Sequence, residues 1–168
     1  FYNENKQNYP SELDGQLKKA LKDVENSVGA VFGDSSNPLL LSVRSGARTS
    51  MPGMMETVLN VGLNDSTREG LIAQSGDPRF VYDAQRRLIQ MYSDVVMEKA
   101  SGIEPEEGMG IRNQLEHELE KMKEQNGVTE DTDLTAENLK NLVDIYKGKV
   151  LEVLKKPFPE DPWEQLWG

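Results

Sequence analysis

Leu13, Leu17, Ala20, Leu21, Val24 and Val28 recur at steps of three and four, the period of a helix with one apolar face. The spacing predicts a helix from Ser11 to about Gly29, with Ser11 as its cap. Gly33, Asp34 and Pro38 break that pattern. The run LLLSVR, residues 39–44, then reads as a short strand of the buried type, bounded by Pro38 and by Ser45-Gly46. Ser50 caps a second helix with Pro52 in its first turn; Val58 and Leu59 point it inward and Gly62 ends it. Ser66 and Glu69 form a capping-box pattern for a third helix, closed by Gly76. DPRFVYDAQRRLIQMYSDVVM, from Asp77, is the strongest helical segment: Phe80, Ala84, Leu88, Met91 and Val95 make one stripe, and Val81, Tyr92 and Val96 widen it. So broad an apolar surface is expected to pack on two sides. SGIEPEEGMG, residues 101–110, is a flexible acidic connector. Ile111, Leu115, Leu119 and Met122 mark a thinner amphipathic helix ending at Gly127. A last long helix, capped by Thr135, carries Leu139, Leu142, Val143, Tyr146, Val150 and Val153 up to Pro157. The pattern is mixed before residue 66 and a small helical bundle after it, so the expected class is α+β, mainly helical.

The 168 residues suffice for one domain with an ordinary core. A net charge of −10 disfavours broad binding to nucleic acid or to an anionic membrane, because most of the surface repels phosphate. No apolar run approaches the roughly 18 residues of a membrane span, and a secretory leader is not expected. The absence of cysteine removes disulfide and thiolate chemistry from this chain. Tyr2, Tyr9, Trp163 and Trp167 lie near the two edges of the sequence, where a covering partner from outside the chain is expected.

Little of the sequence suits catalysis. His117 sits among glutamates in LEHELE, a solvated helix face rather than a metal or catalytic pair. Glu104, Glu106 and Glu107 lack the spacing of a calcium loop, and the serines lack a nearby histidine. Neither common glycine-rich phosphate loop is present. The segment 42–55 is different. Arg44 at a strand end and Arg48 four residues on, with Gly46 between, bring two guanidinium forks to one anion, and the helix starting near Ser50 adds its N-terminal dipole. The same arginines would equally lock the turn by pairing with carboxylates of this acidic chain. Met51, Met54 and Met55 beside Pro52-Gly53 suit either core filling or a loop that moves over a ligand. Arg86-Arg87 reads either as a charged helix edge or, at Arg87, as a ligand for an internal anion.

SVRSGARTSMPGMMETVLNVGLND closely resembles the nucleotide-binding domain of the pyruvate phosphate dikinases. The likeness continues through DPRFVYDAQRRLIQMYSDVVM, DTDLTAENLKNLV and FPEDPWEQL, nearly the whole chain. The water dikinases share the VRS element but lack the MPGMM turn. The resemblance implies an ATP-grasp-type domain that uses MgATP and inorganic phosphate to phosphorylate a histidine on a separate swivelling domain. Pyruvate would then become phosphoenolpyruvate, with AMP and pyrophosphate released. It implies that Arg44 holds the ATP phosphates, that Gly53 and Met55 lie in the loop over them, and that Arg87 reaches them from its helix; Ser50 and Arg48 are weaker candidates. It also divides the chain: 1–64 as part of the first lobe, 65–156 as an inserted helical subdomain, and 157–168 as the return to that lobe. ASGIEPEEGMGIRN looks longer than the family pattern, a surface insertion. The glycine-rich lysine segment, the acidic metal ligands and the phosphorylated histidine are not in this sequence, and His117 does not match the last. The chain is therefore expected to be an internal fragment, monomeric and inactive alone, whose partners are ATP, phosphate and the other domains of a homodimeric parent in the cytoplasm, a plastid or a glycosome. A non-catalytic helical scaffold or docking module, or the equivalent piece of a pyruvate water dikinase, is the alternative.

Overall fold

A computed structural model describes residues 9–44, 57–99 and 101–168. Helix α1 spans Leu13–Val28 and is followed by two short strands, β1 (Val31–Phe32) and β2 (Pro38–Leu39), which pair in parallel. Strands β3 (Leu41–Val43) and β4 (Val58–Val61) pair antiparallel. The remaining elements are helical: α2 (Asp65–Ser75), α3 (Pro78–Tyr92), α4 (Ile111–Asn126), α5 (Ala136–Leu154) and α6 (Pro162–Trp167). The class is thus α+β and mainly helical, as expected. No helix among the described residues is long and apolar enough to cross a membrane.

The core lies where α3 meets α5, α4 and β4. Val81, Leu88 and Ile89 of α3, Ile111 and Leu115 of α4, and Leu139, Leu142 and Tyr146 of α5 are all fully buried. Helix α3 is packed on more than one side, in line with its wide stripe. Ala84, Leu88, Val81 and Tyr92 are buried as expected, but Phe80 is 54% exposed and Ile89, outside the expected stripe, is fully buried. Past Tyr92 the helix widens into a π turn, Ser93–Lys99, which brings Asp94 and Glu98 inward together.

Several helix ends follow the signals in the sequence. Gly29, Gly76 and Gly127 close α1, α2 and α4 in the left-handed conformation, and Thr135 caps α5 in a reciprocal box with Asn138. Two starts differ. Ser11 does not cap α1, whose N-cap position is Glu12 without a side-chain bond. The box on α2 is Asn64 with Thr67, not Ser66 with Glu69. Asn64 wins because its carboxamide works twice, accepting from Thr67 N–H at 2.8 Å and donating to the Glu160 carbonyl at 2.7 Å.

The larger correction concerns residues 58–61. They are strand, not the end of a helix begun at Ser50. Val58 and Val61 are buried while Leu59 is 46% exposed, so Leu59 does not point inward. The pairing with β3 supplies backbone partners that a helix would have had to find locally. Gly62 does end the element, with φ of +101°. A Cβ there would lie 2.7 Å from the Phe32 ring, so only glycine lets the chain pass. The expected strand 39–44 is likewise divided: Pro38 and Leu39 are buried, whereas Ser42, Val43 and Arg44 are exposed. Of the apolar stripe on α1 only Leu21 is buried, and Val24 and Val28 face out.

The C-terminal segment is tied back to β4. Gln165, buried, accepts Gly62 N–H at 2.8 Å and donates to the carbonyls of Leu63 at 3.2 Å and Pro159 at 2.9 Å. Trp163 meets the Phe32 ring edge-on at 5.5 Å, and Trp167 lies 5.4 Å from Tyr9. Both tryptophans therefore find aromatic contacts within the chain.

Candidate functional site

Of the six residues singled out for phosphate, Arg48, Ser50, Gly53 and Met55 lie outside the described residues. Arg44 follows directly on β3 and is exposed. Arg87 lies on α3 and is 60% exposed. The element that connects their surroundings is β4, which pairs with β3 on one side and packs against α3 on the other.

Strand β4 is irregular at this point. Leu41 pairs with Val61 and Val43 with Val58, so Leu59 and Asn60 together oppose the single residue Ser42. This is a β-bulge, which re-aims side chains and is frequent beside functional sites. Asn60 carries the bulge with φ of +63°, a left-handed conformation that asparagine tolerates better than other non-glycine residues. Leu59 and Asn60 line a cleft of about 380 Å³ together with Arg86, Arg87 and Met91 of α3 and Arg112 of α4. Arg44 is not among the residues that line it. The structure therefore brings Arg87 and the bulge together and places Arg44 at the end of the strand beside that bulge.

The two adjacent arginines of α3 have separate fates. Arg86 is not part of a charged edge: it is 3% exposed and forms ion pairs with Asp83 and Asp131. Burial acts to lower its pKa, but the charge of Asp83 outweighs it and holds the group firmly protonated. Arg87 remains at the surface, with Nε donating to Asp83 Oδ2 at 2.8 Å. Burial pushes the Asp83 carboxyl up, and the charges and hydrogen bonds of the two arginines bring it below the ordinary carboxylate range. Asp131 also takes Lys123 Nζ at 3.4 Å, so the short helical turn Asp131–Asp133 closes one wall of the cleft. Behind Arg86 stands Tyr146 of α5, whose fully buried hydroxyl meets no partner in hydrogen-bond geometry among the described residues. Sequence reading passed over Asp83, although its spacing, three before Arg86 and four before Arg87, is the helical contact distance. Asn60 and Asp131 gave no such signal.

His117 is exposed, in agreement with a solvated face. The acidic connector 101–110 is exposed through Met109. Its return into α4 is nonetheless anchored, because buried Glu98 accepts Ile111 N–H at 2.8 Å.

No family model matches the chain. It is 46% identical over 169 residues to a pyruvate, phosphate dikinase of Clostridium symbiosum, covering 100% of this chain and 18% of the relative. It is 48% identical over 157 residues to pyruvate, phosphate dikinase 1, chloroplastic, of Zea mays, covering 94% of this chain and 15% of the relative. The corresponding protein of Arabidopsis thaliana is 49% identical over 158 residues, again 94% of this chain and 15% of the relative. The chain thus spans less than a fifth of the length of the curated relatives it matches. With identity of this order maintained along nearly all of its residues, the chain is homologous to one segment of the pyruvate, phosphate dikinases.

Proposed function

We propose that the chain is the part of a dikinase ATP-binding domain, of the ATP-grasp type, that holds the phosphates of MgATP. Arg44 neutralises phosphate charge from the end of β3. Gly53 and Met55 belong to the loop over the phosphates, Ser50 and Arg48 flank it, and Arg87 reaches in from α3. Residues 1–64 form part of the first lobe, 65–156 an inserted helical subdomain, and 157–168 the return. The whole enzyme uses ATP and inorganic phosphate to phosphorylate a histidine on another domain. It passes that phosphoryl group on to make phosphoenolpyruvate, leaving AMP and pyrophosphate. The metal ligands, the lysine loop and that histidine lie outside this chain, so the chain by itself is inactive. The parent is a homodimer of the cytoplasm or of an organelle such as a plastid.

The observation that carries this reading is the bulged strand β4. It joins the strand that ends at Arg44 to the cleft that presents Arg87. Phosphoryl transfer depends on positioning and charge stabilisation, and an exposed arginine just past β3 with a second on α3 is suited to both. The test is a calorimetric titration of the chain with MgATP, repeated with Arg44→Ala. Binding in roughly the millimolar range, lost in the variant, is the expected result. Equal binding by both proteins would remove Arg44 from the site.

A further inference from the structure

Asp83 serves two arginines with two different oxygens. Its Oδ1 accepts Arg86 Nε at 3.0 Å and Nη2 at 2.6 Å, while its Oδ2 accepts Arg87 Nε at 2.8 Å. The side chain of Asp83 is 17% exposed, that of Arg86 3% and that of Arg87 60%. Arg86 is fixed from behind, by Asp131 Oδ2 at 3.3 Å and by its burial against α5. Asp83 is therefore held in place before Arg87 reaches it.

This differs from an ordinary exposed ion pair, in which two long side chains must both be ordered and little is gained. It also differs from a bidentate arginine–carboxylate pair, which would occupy the guanidinium fork. Because Oδ1 is committed to Arg86, Asp83 holds Arg87 by Nε alone. The bond to Asp83 thus uses Nε and leaves the terminal nitrogens outside it, on a side chain that lines the cleft with Leu59 and Asn60.

We propose that Asp83 is a positioning residue: backed by Arg86, it clamps Arg87 through Nε so that its terminal nitrogens are presented to a phosphate oxygen in the cleft. This rests on the reading of Arg87 as a phosphate contact. The clamp supplies no charge to the reaction. It removes rotamer freedom from a long side chain that would otherwise be ordered only on binding.

Arginine Nε–Hε nuclear magnetic resonance signals of the whole chain test the clamp without a ligand. A tripolyphosphate titration of the same sample tests the phosphate contact. In the wild type the Arg87 Hε signal is expected to be protected from solvent exchange, and Asp83→Asn should reduce that protection by about three- to five-fold. Tripolyphosphate should shift the Arg87 signal, and Asp83→Asn should weaken this binding by a similar factor. In an Arg87→Ala background, Asp83→Asn should weaken it no further. If Asp83→Asn does not fold, Asp83→Glu keeps the charge facing Arg86 while displacing the oxygen that holds Arg87, and serves for the same comparisons. Unchanged Arg87 protection in the Asp83 variant would overturn the clamp itself. An additional loss in the Arg87→Ala background would show Asp83 acting on stability rather than through Arg87. A protected Arg87 that tripolyphosphate does not perturb would instead remove the phosphate role and leave the clamp as a structural pair.

Discussion

Tyr146 has a hydroxyl that is fully buried close to the Arg86 guanidinium, yet it makes no hydrogen bond in good geometry among the described residues. Burial pushes its pKa up to about 12, although the Arg86 charge opposes this; burial and then Glu164 push Tyr92 up to about 12 as well. The sign follows from the raised values. Both phenols stay neutral in the fold while the unfolded chain ionises from about pH 10, so their contribution is whole below pH 10 and is lost as pH rises through about 12. Chemical denaturation should register about 3 kcal/mol of lost stability per tyrosine across that window. Tyr146→Phe removes a buried hydroxyl that faces Arg86 without a hydrogen bond in good geometry, and should change stability by no more than about 1 kcal/mol at pH 7. A loss above about 2 kcal/mol would mean that the hydroxyl is paired after all. At this scale the sequence was legible where one residue type has one use. Gly62 and Thr135 acted as punctuation, and His117 lay on a solvated face. Arg86 was not legible, because its burial depends on Asp131 and Tyr146, far along the chain.

Helix α4 begins at Gly110, which has no side chain to cap it, directly after the acidic connector. The acceptor comes from the preceding helix: Glu98 Oε2 takes the Ile111 N–H at 2.8 Å, while neighbouring Asp94 takes Lys99 Nζ at 2.9 Å and Arg112 Nε at 2.8 Å. The π turn makes this possible by bringing both carboxylates inward. Glu98→Ala should therefore cost about 1–2 kcal/mol in urea denaturation, the scale of a lost helix cap, and Glu98→Gln should recover most of it. Equal losses in both variants would point to the charge rather than to the acceptor. The end of α4 and the start of α5 were legible because Gly127 and Thr135 are local signals, whereas the acceptor at the start of α4 lies in the preceding helix. Strand β4 was misread because Thr57-Val58-Leu59-Asn60-Val61 fits either periodicity, and its partner β3 decides the outcome.

For the whole molecule, the closing contact is Gln165. Its carboxamide joins α6 to Gly62, Leu63 and Pro159, and Asn64 adds a bond to the Glu160 carbonyl. These bonds hold the C-terminal segment against β4, the strand that carries the cleft-lining bulge. Gln165→Ala strands buried backbone groups at Gly62 and Leu63, and about 3 kcal/mol of stability should be lost. Amide exchange at Gly62 should quicken with it. Retained protection at Gly62 would show that α6 docks through its aromatic contacts alone. Since β4 also borders the cleft, the same variant is expected to weaken tripolyphosphate binding without any change at Arg44 or Arg87.

What the sequence determined by itself is what short-range physics encodes: the amphipathic repeats of α4 and α5 and the left-handed glycines that stop α1, α2 and α4. Its string SVRSGARTSMPGMM also carried the kinship with the dikinases. What only the tertiary structure decided is which of two local choices is taken when both satisfy the local rules. Residues 58–61 became strand because β3 offers a ladder, and Asn64 became the cap because Glu160 holds its other end. Arg86 turned inward and Arg87 outward because Asp83 sits within reach of both, while Asp131 and Tyr146 wait on only one side of the helix. A charge is buried only where its partners already stand, and for Arg86 those partners include a turn and a helix more than forty residues downstream.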